Sequence, residues 1–118
     1  MTYVNSGITN VRDYFRGNST TSPTHIAIGD DSTDPTKQDT TLTSELTRLA
    51  IDTINYTSNK VIYTAVLSST EQNGEELKEA GLFNASVAGT MFDRFTHTTI
   101  SKNSNIEVEY VITLTFVN

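Results

Sequence analysis

The chain contains no cysteine. A disulfide framework, a thiolate zinc site and a cysteine nucleophile are all excluded. Cations are scarce as well: 8 Lys and Arg stand against 14 Asp and Glu, leaving a formal charge of −6. Nucleic acid and anionic membrane surfaces both demand clustered Lys and Arg, so neither is an expected partner. No window approaches the roughly eighteen apolar residues of a membrane span. The opening residues 1–7 offer neither a basic segment nor an apolar run, so they do not read as a signal peptide, and synthesis in a cytoplasm is expected. Nucleophile elbow, P-loop, dinucleotide fingerprint and His-Glu-x-x-His are all missing, which argues against an enzyme and against a cofactor.

What is present is polar and β-prone. Roughly a third of the chain is Thr, Ser or Asn, while Leu, Ala and Lys are sparse. Thr favours strands, and Asn and Ser favour turns. A chain of 118 residues is long enough for one domain, 1–118, with its own core. Its most telling stretch is residues 106–117. Ile106, Val108, Tyr110, Ile112, Leu114 and Phe116 recur at a spacing of two, with mostly polar residues between them. Side chains on a strand alternate between faces, so this reads as a half-buried strand. As a single strand it would be about 40 Å long, above the usual length.

Ile8, Val11 and Phe15 share a face at helical spacing, which predicts a short amphipathic helix over residues 7–16. Ser6 or Thr9 is placed to cap it, and Gly17 to end it. Strands are expected over residues 24–29, 45–56, 60–68 and 90–99. Residues 75–80 have helical propensity, but the run before Gly81 is too short for an isolated helix, so strand is favoured over 77–84. Apolar parity shifts between Leu49/Ile51 and Ile54/Tyr56, suggesting a bulge near Asp52-Thr53. Ser58-Asn59 and Asn73-Gly74 are turn signals. The sum is a mainly β chain, an antiparallel sandwich of about six to eight strands with one short N-terminal helix.

Residues 30–43 form a long polar loop, a length associated with function or mobility. Asp30, Asp31, Asp34 and Asp39 are oxygen donors of the type Ca²⁺ takes. Pro35 falls at the sixth position after Asp30 and no Glu closes a calcium loop. The loop therefore reads as solvated, with no metal assigned and Asp30, Asp31 and Asp34 as the weak candidates. His25 and His97 are isolated strand histidines and read as structural. Glu75-Glu76 would face opposite sides of a strand, which is poor geometry for paired-carboxylate chemistry. Glu79 has two readings, an exposed strand carboxylate or an acceptor for a neighbouring loop. Phe92 with Arg94 is the only hint of an exposed carbohydrate-binding face.

Three segments together resemble structural proteins of tailed phages, in particular tail-collar fibre and related tail or baseplate modules. They are Val11-Arg12-Asp13-Tyr14-Phe15 with Pro23-Thr24-His25-Ile26-Ala27-Ile28-Gly29, then Lys78-Glu79-Ala80-Gly81-Leu82-Phe83-Asn84, then the closing alternating strand after Lys102-Asn103. The acidic loop departs from the small, neutral loop usual in that family. The resemblance implies a non-enzymatic virion component, in a tail fibre, collar, baseplate or capsid-surface fibre or decoration. Its partners would be other virion proteins and copies of itself, as a trimer or ring. Residues 1–17 would be a helical attachment segment, with Ile8, Val11 and Phe15 docking on another subunit or packing on their own sandwich. Phe92 and Arg94 complete the interface candidates. The alternative is an adhesion module for a host glycan or receptor, with its patch at 92–95 or in the long loop.

Overall fold

Short alternating runs punctuated by Gly, Asn and Asp give, in the computed structural model, eight strands and one helix among the described residues, 1–18 and 21–117. In chain order they are β1 (Thr2–Tyr3), α1 (Asn5–Phe15), β2 (His25–Gly29), β3 (Glu45–Ala50), β4 (Thr53–Thr57), β5 (Lys60–Leu67), β6 (Glu76–Phe83), β7 (Met91–Ser101) and β8 (Val108–Thr115). Every pairing is antiparallel. One sheet has five strands in the order β1-β7-β6-β2-β3, and the other three in the order β4-β5-β8.

Period-two alternation decides what lies between the sheets. Ile26, Ile28, Leu77, Ala80, Leu82 and Phe92 of the larger sheet meet Tyr63, Ala65, Leu67, Tyr110 and Ile112 of the smaller one in a single cluster. The intervening residues of the larger sheet are buried too. Ala27, Phe83 and Met91 pack with Val4 and Leu42 in a second cluster, because the 30–44 segment covers the outer face. β2 is therefore buried on both faces, and its run His-Ile-Ala-Ile-Gly has no polar row.

The closing strand is shorter than its alternation suggests. Ile106 is held in a turn by its N–H to the Asn103 carbonyl. Phe116 lies past the strand with half its surface exposed. The parity shift near Asp52 marks a change of sheet, and the expected bulge is not what it records. Ile51 N–H bonds the Thr24 carbonyl beside the large sheet, while Asp52 N–H bonds the Thr64 carbonyl of the small one. The helix begins two residues before the expected start. Val4 is its N-cap and makes no side-chain cap; Ser6 Oγ instead donates to the Met91 carbonyl at 2.9 Å. Gly17, with φ of 80°, ends it in the left-handed region. Register shifts in the β6–β7 pairing leave Phe92 without a partner opposite, so Phe92 and Asp93 both turn toward the inter-sheet core.

Candidate interaction surface

Buried charge is concentrated in β6 and β7. Glu79 and Arg94 lie on the outer face of the large sheet, 0% and 1% exposed. Arg94 Nε donates to Glu79 Oε1 at 3.1 Å. Its Nη1 reaches Asp39 Oδ2 at 3.1 Å, and its Nη2 the Thr33 carbonyl at 2.9 Å and Thr43 Oγ1 at 3.1 Å. Glu79 in turn accepts the backbone N–H groups of Thr43 at 2.9 Å, Ser44 at 2.8 Å and Asp31 at 3.3 Å. Of its two readings, the acceptor is the observed one. The long loop is thus bolted to the sheet through its own backbone. A Cβ on Gly29 would overlap the Ser44 carbonyl, so glycine is what lets the loop's return pass this close.

Two of the loop's four aspartates have carboxyl partners at or beside this clamp. Asp31 accepts the Thr33 N–H at 2.7 Å, and bonding to Thr33 holds its carboxyl below the usual range. Asp39 is raised by burial, but its bonds from Thr36 and the Arg94 charge outweigh that and lower it overall. Asp34 points into solvent and Asp30 is half-buried. Among the described residues no three His, Asp or Glu side chains gather where a metal could bind. Phe92 and Arg94 do not form the surface patch expected of them. Phe92 is 6% exposed and belongs to the inter-sheet core, and Arg94 is spent on the clamp.

His25 Nδ1 lies 2.7 Å from Thr24 Oγ1, and His97 Nε2 2.9 Å from Tyr110 Oη. Burial raises the Tyr110 hydroxyl well above its ordinary value. One buried carboxylate escapes sequence reasoning altogether. Asp93 is fully buried, neither of its oxygens has a hydrogen-bond partner, and burial pushes its pKa up to about 7. The Leu82 amide and the chain's amino terminus oppose that shift without cancelling it.

A further feature is an apolar end. Helix α1 touches the sandwich through buried Gly7 and half-buried Val11, which sit between β7 and the edge strand β8. Ile8 and Phe15, the rest of its stripe, stay 56% and 81% exposed. Beside them the inner face of the small sheet runs on past the large sheet. Ile54 pairs with Tyr63, Tyr56 with Val61, and Val61 with Leu114, so all point to the same side. Ile54 is 57% and Tyr56 85% exposed. A crevice of about 190 Å³ separates helix from sheet, lined by Tyr3, Gly7, Ile8, Val11, Leu114 and Phe116. A second hollow adjoins it through Val11, Leu114 and Phe116, bounded by Tyr14, Phe15 and Pro23. Sequence reasoning finds the helix stripe but not the Ile54/Tyr56 half. That half depends on the small sheet outrunning the large one, which periodicity does not encode.

No family model matches this chain, and no curated protein matches it.

Proposed function

We propose that this chain is a non-enzymatic structural component of a phage-like particle, working by assembly with its own copies and with other virion proteins. Its place would be a tail fibre, collar, baseplate, or a fibre or decoration on the capsid surface. The observation that carries this reading is the contiguous apolar end formed by α1 and the β4–β5 hairpin. Single exposed apolar residues are ordinary, but large contiguous patches mark sites of association. Strand edges add to it, because β4 and β8 are the outer strands of the small sheet. The clamped loop and doubly buried β2 suit a rigid module whose work is mechanical. The resemblance of its three segments to tail-collar and baseplate proteins points the same way.

Peptide mass mapping of gradient-purified virus-like particles, from cells that produce the chain, tests the assignment. Finding the chain at stoichiometric level in intact particles supports it. Exclusive recovery in the free soluble fraction overturns it. Of the two places the adhesion reading names, Phe92 and Arg94 are buried, while the long loop still presents exposed Thr33, Lys37, Gln38 and Thr40.

A further inference from the structure

We infer that the apolar end face is where two copies of this chain pair about a two-fold axis. The inference rests on the assembly reading and adds to it a surface and an occupant. Ile8, Tyr14, Phe15, Ile54, Tyr56 and Phe116 are each 50–85% exposed on this one end. With buried areas of about 150–250 Å² for an aromatic side chain, they present roughly 700 Å². That exceeds the roughly 300–600 Å² of the largest patch on an ordinary monomer and comes close to the roughly 800 Å² per partner of a standard interface.

Shape favours a copy of the same chain. Phe15 and Tyr56 project from the face, 81% and 85% exposed. The crevice between Ile8, Val11, Leu114 and Phe116 lies on the same face. Knob and hollow together on one surface allow each copy to fill the other, which is the isologous arrangement. At about 190 Å³ the crevice is below the roughly 300–1,000 Å³ of a drug-sized ligand pocket. An inserted ring suits it better. A trimer or larger ring would need a second, complementary face, whereas a pair needs only this one.

Charge points to the same face. The rim carries the exposed cations Arg12, Arg16 and Lys60, with Asp13 accepting from both arginines. Glu71, Glu75, Glu76, Glu107 and Glu109 lie toward the other end of the strands, where β5 leaves and β6 and β8 begin. The molecule is 45 Å long, several times the roughly 8 Å screening length at physiological salt. Two chains of −6 therefore repel least when these ends meet.

Sedimentation velocity on the full chain, over a dilution series, tests the pairing. The wild type is expected to sediment as a dimer that dissociates on dilution. Phe15→Asp and Tyr56→Asp are expected to raise the dissociation constant at least a hundredfold. Circular dichroism should stay unchanged, because both side chains are exposed in the single copy, and the thermal midpoint should fall only at concentrations where the wild type pairs. Val111→Asp, on the opposite face of the small sheet, should leave the dimer intact. A wild type that stays monomeric throughout, or a dimer that survives both face substitutions, overturns the inference. Because particle incorporation is read independently, a monomer found in particles would sink the pairing and leave the structural role standing.

Discussion

Arg94 and Glu79 meet at 3.0 Å with their side chains 1% and 0% exposed, on neighbouring strands of the large sheet. A buried ion pair contributes little net stability over an apolar replacement of the same shape, yet losing one partner is severe. Here the severity has a second source. Glu79 also holds three backbone amides of the 30–44 segment, so its carboxylate connects the sheet to the loop that seals its outer face. Leu42, carried by that loop, completes the outer cluster with Val4, Ala27, Phe83 and Met91.

Glu79→Ala is therefore expected to destabilise the chain by about 3–5 kcal/mol, measured by urea unfolding. The Thr43 and Ser44 amides should lose most of their hydrogen-exchange protection. Arg94→Ala should be similarly destabilising, but with those two amides still protected. In the double variant the losses should fall short of additive. A Glu79→Ala protein within about 1 kcal/mol of wild type, a surface-like effect, would remove the clamp from the account.

Asp93 should make stability pH-dependent. Its folded pKa is about 7 against an ordinary value of 3.8, so between those values the folded state holds a proton the unfolded state has released. Stability should then fall as pH rises from about 4 to about 7, by about 4 kcal/mol in total, and level off above. Asp13, Asp31 and Asp39 have lowered values and act oppositely, withdrawing stability only below about pH 4. Urea midpoints measured at steps of pH should show this slope in the wild type and not in Asp93→Asn. A slope that persists in Asp93→Asn would assign it to another group.

How far the sequence could be read follows from which interactions are local. Periodicity finds β8 because alternation is a property of consecutive residues, whereas β6 has helical propensity and reads as a strand only because the run before Gly81 is too short for a helix. It predicts the Ser58-Asn59 hairpin, and Ser58 indeed sits at φ of 51°. It misplaces the change of sheet at Ile51-Asp52, because the partners of those amides lie far along the chain. Arg94 reads as a surface residue because Arg usually is one. Its burial follows from three acceptors more than fifty residues upstream, Thr33, Asp39 and Thr43. Asp93 gives no sequence signal, since only the bulge at Phe92 turns it inward.

Gly7 separates local propensity from packing by the sign of one measurement. Within a helix, Ala is favoured over Gly by about 1 kcal/mol, so on propensity alone Gly7→Ala would stabilise α1. In the fold a Cβ there would overlap Phe92 Cα and come within 2.8 Å of the Phe92 carbonyl oxygen. Backbone cannot yield as a flexible side chain can, and overpacking of this kind costs about 1–3 kcal/mol. The expected outcome is a net loss of stability in thermal unfolding, with lowered protection of the Val4 amide that bonds the Phe92 carbonyl. A raised midpoint would mean that α1 rests on the sandwich less closely than the geometry requires.

Arg48 is the residue for which a conservative exchange should be least conservative. Its guanidinium carbon stacks 3.8 Å from the centre of the Phe83 ring. Nε and Nη2 grip the two Glu45 oxygens at 2.9 and 2.8 Å, while Nη1 reaches the carbonyls of Ala85 at 3.0 Å and Ala88 at 2.7 Å. Lysine brings the charge but no plane to lie on the ring and no fork to span these acceptors. Arg48→Lys should cost about 1–2 kcal/mol through the lost stacking and unmatched carbonyls. The 84–89 turn should loosen most, because Ala88 is held there at φ of 55°, a strained value for a residue with a Cβ. Limited proteolysis should then cut within that turn in Arg48→Lys and not in wild type. If cleavage and unfolding are unchanged, charge alone holds the turn and the planar contact with Phe83 is incidental.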